Sequence, residues 1–124
     1  MLWLLRPQKM QRNSLTFEVC IDTAAGFDAC EGLVDRIELC SALDVGGLTP
    51  CPGLIAAAQD SDIPSHVMIR PRAGDFCYDL ADQKAMRASI EAAKKAGLAG
   101  VVIGASQEDQ LDVRSEEHTS ELQS

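Results

Sequence analysis

Thr16–Asp22 reads TFEVCID and Asp35–Ser41 reads DRIELCS, and these two stretches decide the fold. Each is a short apolar run closed by a polar residue, the pattern of a buried strand. Glu18-Val19-Cys20 returns twenty residues later as Glu38-Leu39-Cys40. Side chains alternate along a strand, so Glu and Cys two apart share one face. Between the copies, Ala24–Glu31 is a short helix-compatible segment interrupted by Gly26. A strand-helix-strand unit makes its strands parallel. If they are neighbours, two thiols and two carboxylates gather on one wall, an arrangement suited to holding a metal or a small ligand.

Working outward, Ser65–Arg70 (SHVMIR) and Gly100–Ala105 (GVVIGA) are nearly continuous in apolar residues, as strands covered on both faces are. Thr49-Pro50 offers a cap and first-turn pair for a helix over Cys51–Gln59, with Pro52 and Gly53 blurring its start. Gln83–Ala96 is the clearest helix. Met86, Ile90, Ala93 and Leu98 supply its apolar positions, Glu91 and Lys95 form an ion pair one turn apart, and Gly97 stops it. The order β-α-β-α-β-α-β predicts a parallel sheet with right-handed crossovers, either doubly wound or a (β/α) barrel. Asp22, Ser41, Arg70 and Arg72 stand at C-terminal strand ends, where a barrel builds its site. The expected fold class is therefore α/β of TIM-barrel type. Such a barrel takes about 250 residues, so four βα units are half of one and the chain is expected to be a fragment.

Composition narrows the function classes. Of 124 residues, 46% are hydrophobic and the mean hydropathy is −0.03, which fits a globular domain. A formal charge of −8 argues against nucleic acid, whose phosphates call for clustered Lys and Arg. No run approaches the length of a membrane span. The five cysteines, Cys20, Cys30, Cys40, Cys51 and Cys77, are odd in number and include no C-x-x-C. They are expected as reduced thiols of a cytoplasmic protein.

Three segments are expected. Residues 1–14 form an N-terminal extension in which Leu2-Trp3-Leu4-Leu5 precedes Arg6, Lys9 and Arg12. That order is the reverse of a secretory signal, and leaves a disordered extension, a mispredicted start or an organelle transit segment. Residues 15–113 form the partial barrel domain. Arg114–Ser124, RSEEHTSELQS, resembles the in-frame translation of a widely used short-read sequencing adapter and is expected to be a non-native tail. Removing its one Arg and three acids takes the charge from −8 to −6, and removing His118 leaves His66 as the remaining histidine.

Residues 16–105 resemble the N-terminal half of the CutC copper-homeostasis family, a (β/α) barrel. The matching motifs are FEVCID at Phe17–Asp22, DRIELCSALDVGGLTP at Asp35–Pro50, VMIRPRAGDFCY at Val67–Tyr78 and GVVIGA at Gly100–Ala105. Departures are an unusual first helix, Ala73 in place of a glycine, His66 in place of an aromatic or aliphatic residue, and Cys51 in place of a serine. The resemblance implies copper as the partner, with cysteines matching Cys20 and Cys40 as the proposed ligands.

The candidate chemistry has two centres. Adjacent strands lie about 4.8 Å apart, so the Cys20 and Cys40 thiols are placed to share one small ion, and two soft thiolates suit Cu(I). Barrel shear would weaken the pair if it staggers the strands. Buried cysteines also pack as plain small hydrophobes. The second centre is Glu18, Glu38, Arg70 and Arg72, expected either as an ion-pair network between strands or as a catalytic site. In the catalytic alternative, a barrel enzyme acts on a small anionic substrate, with Arg70 and Arg72 as anion clamp and a glutamate as acid or base. Asp75 is expected to cap a helix rather than orient an arginine, Gly46-Gly47 to form a turn, and His66 to have a core or surface role. Unpaired sheet edges predict a chain that is poorly soluble or forms a homo-oligomer.

Overall fold

The computed structural model describes residues 15–107 together with Gln110 and Leu111. Strands β1 (Glu18–Ile21), β2 (Arg36–Leu39), β3 (Ser65–Ile69) and β4 (Gly100–Ile103) form one sheet in the order β1-β2-β3-β4, every pair parallel. Helices α1 (Ala25–Cys30), α2 (Pro52–Gln59) and α3 (Leu80–Lys95) make the three crossovers. A short antiparallel pair, β5 (Ser106–Gln107) and β6 (Gln110–Leu111), follows. The expected segments 1–14 and 114–124 lie outside the described residues.

The register decides between barrel and doubly wound sheet. Ile21, Leu39, Val67 and Val101 are successive lateral partners, so they point to one face. On that face Ile21, Ile37 and Leu39 pack with Phe27 and Cys30 of α1 and Ala58 of α2, while Val67, Ile69 and Val101 pack with Met86 and Ala93 of α3. All three helices thus cover the same side, as in a barrel wall, whereas a doubly wound sheet splits its helices between two sides. Ile37, Leu39 and Val67 have no exposed surface, and burying each such side chain stabilises by about 1.5–3 kcal/mol. The other face carries the row Cys20, Glu38, His66 and Gly100. On β3, buried Ser65, Val67 and Ile69 alternate with half-buried His66 and Met68. This strand, expected to be covered on both faces, is therefore covered on one among the described residues.

The elements differ from expectation mainly at their ends. Helix α3 starts at Leu80 because the Asp79 carboxylate accepts from the Asp82 amide at 2.7 Å, a side-chain cap worth about 1 kcal/mol. Helix α2 takes Cys51 as its cap residue and Pro52 as its first residue. Thr49, expected in the cap, instead accepts from the Arg70 amide through Oγ1 at 2.9 Å. Gly26 survives inside α1 because the helix lies against β1: a Cβ there would sit 2.9 Å from Ile21 Cβ.

Candidate functional site

The two E-x-C motifs share a face but are not level. Glu18 pairs laterally with Arg36, and Cys20 with Glu38. Cys40 lies just past the end of β2, its amide donating to the Ile21 carbonyl at 2.9 Å. The stagger is two residues, so the Cys20 and Cys40 Cα atoms stand diagonally about 8 Å apart, from strand spacing and rise. That exceeds disulfide reach, and both cysteines are free.

Glu38 stands level with Cys20 and two residues before Cys40 on the same face. The Cys40 Sγ approaches the Glu38 Oε1 at 4.0 Å and the Glu38 backbone carbonyl at 3.8 Å. Burial, and then the neighbouring Glu18 carboxyl, raise the Glu38 pKa. Burial raises Cys20 as well, followed by the Glu38 and Glu18 charges. Cys40 is 1% exposed, and its thiol is pushed up to about 12, first by burial and then by Glu38, Cys20, Asp22 and Glu18. The wall around the thiols is therefore acidic and disfavours a bare thiolate; a bound cation would reverse that balance.

The expected network of two acids with Arg70 and Arg72 is not what the strands assemble. Glu18 pairs with Arg36 Nε, a residue outside the expected network. Its signal was present: Arg36, Glu38 and Cys40 alternate onto one face of DRIELC. Arg70 turns to the loop after β2. Its Nη1 donates to the Val45 carbonyl at 2.7 Å and the Gly47 carbonyl at 3.1 Å, and its Nη2 to the Gly74 carbonyl at 3.2 Å. The guanidinium stands 5.3 Å from the Phe76 ring centroid. Arg72 binds Asp82 through Nε at 3.0 Å and Asp75 through Nη2 at 3.2 Å. Its Nη2 also donates to the Cys77 carbonyl at 2.6 Å, and the Tyr78 ring lies 5.1 Å away. These donors organise the loops after β2 and β3 rather than facing an open anion site.

Asp75 orients an arginine, contrary to expectation. Its Oδ1 accepts from Arg72 and, at 3.2 Å, from the Cys77 amide. The helix cap it was expected to supply comes from Asp79, four residues on. Gly46 and Gly47 form the expected turn, with φ +93° and +94°. His66 lies level with Glu38 on the thiol-bearing face. Burial, then the Arg36 charge, lower its pKa. Cys30 lies in the core and Cys51 and Cys77 are exposed.

Parallel strands in sequential order, helices on one side and polar chemistry on the other define one class, an α/β chain of TIM-barrel type comprising four strand units. Comparison with known proteins places it within that class. The model of the CutC family matches residues 15–123, and the chain belongs to that family. It is 57% identical over 104 residues to a CutC family protein of Sinorhizobium medicae, covering 82% of this chain and 42% of the relative. A Caulobacter vibrioides CutC family protein is 56% identical over 99 residues, covering 79% and 40%. Among solved structures, a candidate copper homeostasis protein, CutC of Streptococcus agalactiae, superimposes with a TM-score of 0.77 at 27% identity, covering 88% of this chain and 55% of that one. The chain spans about two fifths of the length of the curated relatives it matches.

Proposed function

We propose that this chain carries the metal-binding wall of a cytoplasmic copper homeostasis protein and takes Cu(I) as cargo through Cys20 and Cys40, for buffering or trafficking. The observation that carries the reading is the placement of two free thiols from adjacent strands around Glu38, which is level with Cys20 and lies 4.0 Å from the Cys40 Sγ. Among the described residues no group of three or more His, Cys, Asp or Glu is arranged to hold a metal ion. The donors in this reading are two soft sulfurs, a set that suits Cu(I) better than four-coordinate zinc. Family membership and the description of the Streptococcus agalactiae relative support the same cargo. No described helix is long and apolar enough to cross a membrane. The enzyme alternative has less support, because Arg70 and Arg72 donate to loop carbonyls and carboxylates.

The test is Cu(I) titration of the full chain against a competing chelator, for wild type, Cys20→Ser, Cys40→Ser and the double variant. One tight equivalent in wild type that is lost in the double variant is the expected result. Equal weak binding in all four overturns the assignment.

A further inference from the structure

The two thiols of the site are unlike in access. Cys20 is exposed and Cys40 is buried. What covers Cys40 is the loop after β2. Ser41 and Leu48 close its base by exchanging hydrogen bonds at 2.9 and 2.7 Å. Its tip turns through a short helical stretch, Leu43–Val45, into Gly46 and Gly47. Gly47 lies so close over the sulfur that a Cβ there would stand 3.2 Å from Cys40 Sγ. From outside the loop, Asp22 holds the Leu43 amide at 3.3 Å, and Arg70 holds the Val45 and Gly47 carbonyls through one nitrogen, Nη1. The same guanidinium ties to Gly74 in the next loop and rests beside Phe76. Its backbone is fixed in turn: the Arg70 amide donates to Thr49 Oγ1 and the Arg70 carbonyl accepts from the Thr49 amide at 3.0 Å.

We propose that Arg70 is a positioning residue that latches the Ala42–Leu48 loop over Cys40 and so controls which reagents reach that sulfur. A small cation entering beside Cys20 meets Cys40 from the strand side, whereas a bulky electrophile must wait for the loop to lift. The inference rests on the thiol-pair reading only for the identity of the cation; the latch itself stands on the loop geometry. Arg70 suits the task because its planar fork holds two loops at once through charge-assisted bonds, which a lysine ammonium reproduces poorly.

The five cysteines supply their own controls. Native full-length chain is treated with N-ethylmaleimide, and each thiol is followed by peptide mass spectrometry in wild type, Arg70→Gln and Arg70→Lys. In wild type, Cys20, Cys51 and Cys77 react first, with Cys30 and Cys40 far behind. Arg70→Gln is expected to speed Cys40 by about tenfold or more, the equivalent of one charge-assisted bond, while Cys30 keeps its wild-type rate. Arg70→Lys is expected to fall between the two and decides the matter if the Gln variant does not fold. An unchanged Cys40 rate, or Cys40 and Cys30 rising together as in general loosening, overturns the latch. Because no copper is present, this result is independent of the Cu(I) titration: a chain that binds no copper can still show the latch, and the converse.

Discussion

Replacing Gly47 with Ala tests the roof over Cys40 most directly. Gly47 has φ +94°, a conformation that costs a residue with a Cβ about 1–2 kcal/mol. The added methyl would also stand 3.2 Å from Cys40 Sγ, closer than ordinary contact, and 3.5 Å from Cys40 Cβ. The sulfur has little room to retreat, since it is 1% exposed and lies against Glu38. The cheapest relief is for the loop to lift, and a penalty of 1–2 kcal/mol raises the open population about 5- to 30-fold. Maleimide labelling of Cys40 should rise by that factor relative to Cys30. Gly32→Ala is the control. Gly32 also has positive φ, +74°, but nothing within 4 Å of the added Cβ, so this variant suffers the backbone penalty away from the site. Any increase it causes should appear at Cys30, two residues away in the same turn, at least as much as at Cys40. The reasoning is refuted if Gly47→Ala leaves the Cys40-to-Cys30 ratio unchanged, or if Gly32→Ala raises that ratio as much.

Other expectations follow from the same geometry. Gly26→Ala gains about 1 kcal/mol of helix propensity but places a methyl 2.9 Å from Ile21 Cβ, an overpacking worth about 1–3 kcal/mol; urea unfolding should show a net loss, and a more stable variant contradicts the packing. Cu(I) affinity should rise with pH, because Cys40 at about 12 and Cys20, raised above 9.0, both hold protons at neutrality that the ion must displace. With two protons released, the gain approaches about 100-fold per pH unit, and chelator competition that is flat between about pH 6 and 8 rules it out. Mild oxidation should give no Cys20–Cys40 disulfide, since the diagonal spacing of about 8 Å exceeds bridging range; one cross-linked peptide in a non-reducing digest is enough to refute this. The edges β1 and β4 have no strand partner on their outer sides among the described residues, which favours association, and a cooperatively melting monomer at every concentration on sizing and calorimetry would falsify that.

Sequence periodicity was enough for the sheet, because strand and helix signals are local. TFEVCID, DRIELCS, SHVMIR and GVVIGA each contain an observed strand, and the ordered alternation with helices left few topologies open. What local pattern cannot supply is level. Alternation says that Cys20 and Cys40 share a face, but their relative height is set by how the strands slide and tilt together, a collective property of the sheet. The repeated Glu-x-Cys suggested thiol beside thiol; the sheet places thiol beside carboxylate, with Cys20 against Glu38 and Glu18 against Arg36. The arginines failed for a related reason. Arg70 and Arg72 have charges visible in the sequence, but the carbonyls of Val45, Gly47, Gly74 and Cys77 that bind them belong to loop conformations that composition does not encode.

The stagger bears on how a repeat can yield an asymmetric site. Two identical Glu-x-Cys units held level would give two thiols in like surroundings. Displaced by two residues, one thiol stays on the open wall beside Glu38, while the other passes the strand end and comes under the loop that Arg70 ties down. On the proposed reading Cys20 would meet a cation first, and Cys40, whose thiol burial and acidic neighbours push up to about 12, would gain from its neutralising charge. The ordering is physical rather than genealogical: it depends on the register and on the Gly47 roof. Moving the second cysteine back to position 38, level with Cys20, would bring the two within disulfide range and forfeit the difference between them.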